Sequence, residues 1–169
     1  MPGAPDAFWP GAPGIQDSAG STPVTRTDFP RFYPITTRWM DNDVYGHVNN
    51  VTYYSYFDSA INCHLIEAGG LDIHQAQVVA YVVSSSCQYH QPVAYPDALE
   101  AGLRVIRIGT SSVTYQLGIF RQGEPEPAAT GQVVHVFVDR KQNRSVPIPG
   151  PIRKALEDIA VDDNPQHDG

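Results

Sequence analysis

Between residues 50 and 68 large side chains return every three or four positions. Tyr54, Phe57, Ile61, His64, Leu65 and Ala68 form one stripe, which is the period of a helix face. The spacing predicts a helix over residues 50–67, capped at its start by Asn49 or Asn50. Gly69 and Gly70 stop it, since glycine tolerates the left-handed backbone that closes a helix. The polar face of this helix is thin, so burial on more than one side is expected.

The rest of the pattern reads as strand. Residues 32–39, "FYPITTRW", suit a first strand, and "QVVAYVVSSSCQYH" (77–90) is a long β-branched and aromatic run. "ALEAGLRVIRI" leads through Gly109 into "SSVTYQLGIF". There Val113, Tyr115, Leu117 and Ile119 alternate with more polar or smaller residues, a period of two with one buried face. "GEPEP" turns the chain and "ATGQVVHVFVD" returns it, so an antiparallel meander is expected. A short helix, "IRKALEDIA", follows the prolines between 147 and 151. A strand over 98–108 spans roughly 36 Å and the long helix roughly 27 Å. Long twisted strands and one apolar helix pack best when the sheet curls around the helix. The expected fold is therefore α+β: a hotdog, with a long central helix wrapped by a curved antiparallel five-stranded sheet. Such a sheet leaves edge strands exposed, so pairing with further copies, as homodimer or homotetramer, is expected.

Composition refines this picture. The first 29 residues are rich in Pro, Gly, Ala and Ser and cannot bury enough apolar surface to offset the entropy of ordering. They are expected to form a flexible N-terminal extension, with Phe8 and Trp9 as docking exceptions, before one domain over 30–160 and a tail over 161–169. The 169 residues carry 18 acidic against 11 basic side chains, a formal charge of −7, which argues against a general nucleic-acid binder. No run reaches the ~18 apolar residues of a membrane span, and no signal peptide is visible in the N-terminal stretch, so a cytoplasmic protein with no membrane partner is expected. Cys63 and Cys87 lack metal spacing and read as reduced, packed thiols.

One junction carries far more polar chemistry than a turn requires: "RWMDNDVYGHVNN", residues 38–50. A loop feeding a buried helix presents the unpaired N–H groups and positive dipole end of the first turn. Those can stabilise charge growing on a carbonyl oxygen. A carboxylate a few residues upstream can attack the carbonyl carbon or take a proton from water. Gly46 lets the loop backbone approach closely. Acyl transfer to water suits this arrangement. Asp41 and Asp43 compete for the reactive role; Asp41 suits holding the loop through an Asx-type hydrogen bond, and the bland reading of the pair is two turn-forming aspartates. A metal cluster of Asp41, Asp43 and His47 lacks a further ligand group, so no metal is expected.

The stretch "RWMDNDVYGHVNNVTYYSYFDSA" resembles the signature of hotdog acyl-CoA thioesterases of the 4-hydroxybenzoyl-CoA thioesterase type. The likeness extends through "YHQPVAYPDAL", "GTSSVTYQ" and "ATGQVVHVFVD". It implies hydrolysis of an acyl-CoA or acyl-carrier thioester to a free acid and a thiol. Coenzyme A would enter only as part of the substrate, and no cofactor is implied. By that resemblance Asp43 is the catalytic carboxylate, as nucleophile or general base, and Asn50 presents the backbone N–H that polarises the thioester. Gly46 and His47 would shape the loop and help bind substrate. Where some family members place basic residues to grip phosphates, this chain has the turn "IGTSS". Ser111 and Ser112 would bind there with Arg107 nearby, and Arg104 stands close as well. Two other readings stay open: an acyl-thioester binding module without turnover, and a hotdog enoyl thioester hydratase. The second meets a mismatch in spacing, because the Asp/His pair of such enzymes is five apart while Asp43 and His47 are four apart.

Overall fold

The computed structural model describes residues 23–161. The expectations for the first 22 residues, docking of Phe8 and Trp9 included, and for the tail beyond 161 lie outside them.

Five antiparallel strands form one sheet in the order β1-β3-β4-β5-β2. They are β1 (Arg31–Thr36), β2 (Val78–Tyr89), β3 (Ala98–Ile108), β4 (Ser112–Arg121) and β5 (Ala129–Asp139). The long helix α1 (Thr52–Glu67) packs on the concave face, and the short helix α2 (Gly150–Glu157) closes one end. This is the hotdog arrangement that the element lengths require. On β4 the inward positions Val113, Tyr115, Leu117 and Ile119 are all buried, as the alternation predicts.

The contact between helix and sheet is tightest at Phe57. Its ring lies against Gly131 of β5, where a Cβ would come within 2.4 Å of the ring and 2.8 Å of the Ser86 carbonyl oxygen. Only glycine lets the helix approach this closely. The buried face of α1 is also wider than the expected stripe. Tyr53, Tyr56 and Ala60 are buried together with Phe57, Ile61, His64 and Leu65, whereas Tyr54 is half-buried and Ala68 exposed. The cause is a second wall: Tyr53 stacks edge-on against Tyr89, with ring centroids 5.1 Å apart, and Tyr56 reaches Asp41.

The segment expected to be flexible up to residue 29 joins the body earlier. Phe29 is buried in a slot that Gly102 and Gly118 leave open on the convex face; a Cβ on Gly102 would come within 2.7 Å of its ring. These glycines face each other across β3 and β4. Arg26 lies between the Phe32 and Phe120 rings, 4.9 Å from each, and pairs with Glu100 at 3.2 Å. Single aromatic and basic residues in a Pro-rich context carry no periodic signal, so this strap is invisible to pattern reading.

β2 ends the sheet order. Tyr81, Val82 and Val83 are exposed on it, and a bulge interrupts its pairing with β5 between Val82 and Ser84.

Candidate active site

The junction after β1 folds as a small hairpin feeding the helix. Asp41 ends a short 3-10 turn and is only 2% exposed. Its carboxylate accepts hydrogen bonds from the Arg38 amide at 2.9 Å, Arg38 Nε at 3.1 Å and the Tyr56 hydroxyl at 2.8 Å. Burial alone would raise its pKa, but these hydrogen bonds and the Arg38 charge hold it below the ordinary carboxylate value. A carboxylate so committed is a structural anchor. Sequence reasoning gave Asp41 a loop-holding role, and the loop is indeed held, through Arg38 and Tyr56 and not through an Asx turn.

Asn42 and Val48 form an antiparallel bridge. Between them the chain reverses over five residues. The Asp43 amide donates to the His47 carbonyl at 2.9 Å, and the Gly46 amide donates to the Asp43 carbonyl at 3.1 Å. Gly46 takes φ +82°, while a Cβ there would meet nothing within 4 Å. Its glycine is therefore demanded by backbone conformation. Asp43 Oδ1 accepts the Tyr45 amide at 2.8 Å, the Asx-type contact expected of Asp41. Oδ2 takes no partner among the described residues. Val44 and Tyr45 at the tip are 95% and 84% exposed, and His47 is exposed beside them.

The hairpin is tied to the helix start. The Asn49 amide donates to the Asp41 carbonyl at 2.8 Å, and the Val48 amide donates to Val93 at 2.8 Å. Asn49 then folds back: its Oδ1 accepts the Val51 amide at 3.3 Å and its carbonyl accepts the Thr52 amide at 2.9 Å. The helix proper opens at Thr52, two residues later than expected. Asn50 stands in the turn ahead of it, exposed. Its carbonyl accepts the Tyr89 hydroxyl at 2.8 Å, and its own N–H has no partner among the described residues. Asp43 and this free amide thus sit on one short, internally braced segment at the mouth of α1.

Sequence reasoning missed the side chains that brace it. Tyr56, Tyr89 and Arg38 do so directly, and the Tyr95 amide holds Asn42 Oδ1 at 3.0 Å. The tyrosines sit within apolar runs where a core role is the default, so only three-dimensional proximity reveals their second task. Burial raises the pKa of Tyr53 to about 12 and pushes those of Tyr56 and Tyr89 higher, which leaves both bridging hydroxyls as proton donors. Burial also raises the Cys87 thiol, to about 11, and both cysteines are free.

Arg107, Ser111 and Ser112 lie elsewhere. Asp43 and Asn50 sit where Ala98 and Tyr89 end their strands, whereas the β3–β4 turn lies beyond Ile108. Along β3 that separation is on the order of 30 Å. One chain therefore does not bring these residues to Asp43. The turn's own carbonyls are engaged: Thr110 accepts the Ile148 amide, Ser111 that of Phe137 and Ser112 that of Gly109. Arg153 of α2 donates to the Gly109 carbonyl at 2.7 Å and adds a basic side chain at this corner. Arg104 is engaged on the convex face, with Gln116 at 2.6 Å and the Phe29 ring at 5.4 Å. Among the described residues no three His, Cys, Asp or Glu side chains gather as a metal site, and no helix is long and apolar enough to cross a membrane.

Comparisons agree with this fold. The family model of the thioesterase-like superfamily matches residues 37–156. The crystal structure of PA5185 from Pseudomonas aeruginosa superposes with a TM-score of 0.80 at 54% identity, covering 80% of this chain and 95% of that one. YsmA of Bacillus subtilis is 30% identical over 72% of this chain and 81% of its own length. The long-chain acyl-CoA thioesterase FadM of Escherichia coli is 25% identical over 74% and 96%.

Proposed function

We propose, since this chain belongs to the thioesterase-like superfamily, that it is an acyl-CoA thioester hydrolase working with Asp43 and the Asn50 amide. The observation that carries this reading is the braced segment: a carboxylate with one oxygen free, followed seven residues later by an N–H at the mouth of α1, neither with a partner among the described residues. A thioester carbonyl oxygen accepting the Asn50 N–H, in the field of the helix dipole, becomes more electrophilic at carbon. In the general-base route Asp43 takes a proton from water while the water oxygen bonds to that carbon. The C–S bond then breaks, and the leaving sulfur receives the proton. In the nucleophilic route an Asp43 oxygen bonds to the carbon, the C–S bond breaks and coenzyme A leaves as the thiolate; water then cleaves the resulting anhydride, releasing the acid, restoring the Asp43 carboxylate and giving a proton to the thiolate. Both routes yield a free acid and coenzyme A.

A second copy completes the site in this reading. Trp39 and Met40 are 79% and 73% exposed beside the hairpin, and β2 presents apolar side chains at a sheet edge. Large exposed apolar groups at an unpaired edge mark an interface. Antiparallel pairing of two β2 strands about a two-fold axis would set the Tyr81 end of one beside the Tyr89 end of the other. The β3–β4 turn lies level with Tyr81, because Ser112 pairs with Val136 and Val136 with Tyr81. Ser111 and Ser112 of the partner subunit, together with its Arg107 and Arg153, would then share the rim with Asp43. Hydroxyls and guanidinium groups would then stand where the phosphates of a coenzyme A carrier would lie.

The test is thiol release from a panel of acyl-CoA substrates of varied chain length and aromatic character. At least one should turn over well above the Asp43→Asn background. Uniform inactivity of the wild-type protein, with binding retained, would overturn hydrolysis.

A further inference from the structure

Two peptide planes flank Asn50, and both are pinned. The plane between Asn49 and Asn50 has its carbonyl held by the Thr52 amide at 2.9 Å. The plane between Asn50 and Val51 is held at both ends: its N–H donates to Asn49 Oδ1 at 3.3 Å, and its carbonyl accepts the Tyr89 hydroxyl at 2.8 Å. Among the described residues, only the Asn50 N–H of these two planes is left without a partner. Of these contacts only the one from Tyr89 comes from outside the turn, 39 residues away in sequence. Without it the second plane keeps only the longer 3.3 Å contact to Asn49 Oδ1 and loses its one anchor outside the turn, so it can shift and carry the Asn50 backbone with it.

Tyr89 is itself firmly placed. It pairs with Ala129 at the end of β2, and its ring stacks edge-on against Tyr53 in the first turn of α1. The hydroxyl keeps its proton across the working range of pH, because burial and the neighbouring Cys87 raise its pKa, so it remains a donor. β2 is also the sheet's exposed edge, so the residue that braces Asn50 sits on the strand assigned above to the dimer contact.

We propose that Tyr89 is a positioning residue for the thioester reaction, its hydroxyl fixing the Asn50–Val51 peptide so that the Asn50 N–H points at the carbonyl oxygen of the substrate. The inference rests on the hydrolase reading above. A donor must be aligned within a fraction of an ångström on the developing oxyanion, and loss of alignment costs turnover more than binding.

The test compares wild-type, Tyr89→Phe, Asn49→Ala and Asp43→Asn proteins on the best substrate of the panel. Tyr89→Phe keeps the ring and its stacking while removing the hydroxyl. It should lower kcat about tenfold with KM within about twofold. Affinity for a ketone analogue, in which CH2 replaces the thioester sulfur, should fall in parallel. Affinity for an S-alkyl-CoA thioether, which has no carbonyl, should stay unchanged. Asn49→Ala removes the other pin of the same plane and should show the same split; it decides the matter if Tyr89→Phe folds poorly. An unchanged kcat, or equal losses toward ketone and thioether, would overturn the positioning role. If the wild-type protein is active and Asp43→Asn is dead in the same series, the hydrolase reading survives that outcome. An inactive wild-type protein would instead remove the reading on which the inference stands.

Discussion

The Tyr33 hydroxyl and His64 Nδ1 meet at 2.7 Å in the buried interior, while Nε2 of the same ring lies 2.8 Å from the Ala155 carbonyl. A carbonyl can only accept, so Nε2 carries the proton and Nδ1 accepts from Tyr33. One neutral tautomer of His64 thus links β1, α1 and α2. Burial lowers its pKa against the opposing pull of the Ala155 carbonyl.

Acid should therefore weaken the fold well above the carboxylate range. His135 is buried beside Tyr115, with ring centroids 5.1 Å apart, and burial takes its pKa from 6.5 to about 4. Both histidines are depressed in the folded state, so the unfolded chain binds more protons once the pH falls below 6.5. Stability is fully present above that value and declines toward pH 4, with His135 alone contributing on the order of 3 kcal/mol. Urea midpoints should hold from pH 7.5 to about 6.5 and then fall toward pH 4.5, and His135→Leu should flatten that fall. A flat wild-type profile would mean that neither ring is held neutral.

Gly131→Ala should be among the most damaging single-methyl additions to this chain. The new Cβ would meet the Phe57 ring on one side and the Ser86 backbone on the other. The backbone cannot yield without disturbing the β2–β5 ladder, so overpacking should cost about 1–3 kcal/mol or more. Thermal unfolding is the measurement. A melting temperature within a degree of wild type would show that α1 rides more loosely on β5.

Much of this fold was legible because periodicity reports burial directly. The alternation of Val113, Tyr115, Leu117 and Ile119 and the stripe containing Phe57, Ile61 and Leu65 both state which face turns inward. The junction stood out for a different reason: Asp43, Gly46 and Asn50 bring more polar and conformational character than a plain turn needs. What stayed hidden depends on contacts between distant segments. Phe29 in its glycine slot, Tyr56 on Asp41 and Tyr89 on Asn50 are pairs whose partners lie 15 to 39 residues apart or across the sheet. How Arg107, Ser111 and Ser112 stand relative to Asp43 stayed hidden for the same reason. Proximity in a family motif does not reveal that a strand on the order of 30 Å long separates two corners of one chain.

The two junction aspartates should separate cleanly on mutation. Asp41→Asn removes the charge that Arg38 and Tyr56 address in a buried site. It should cost about 1–3 kcal/mol of stability and only partly impair turnover, through a loosened hairpin. Asp43→Asn keeps the amide oxygen that Tyr45 needs and touches nothing buried. It should leave the unfolding midpoint within about 0.5 kcal/mol of wild type while removing most turnover. Paired denaturation and thiol-release assays check both; the reverse ranking would exchange the two roles.

Breaking the β2 edge should cost both assembly and activity. Val83 is exposed at the bulge of a strand that ends the sheet. A lysine there is a common device for keeping sheet edges apart, because pairing would bury its charge against a second copy of itself. Val83→Lys should leave the monomer fold intact, since the side chain makes no core contact. Sedimentation should then show the mass of one chain where wild type shows at least two. If the partner supplies part of the substrate rim, kcat/KM should fall with the loss of assembly, and raising the protein concentration should recover part of it. A wild-type protein that sediments as one 18.5 kDa chain and is fully active would refute the shared site, because Asp43 would then complete its chemistry with the residues of one copy.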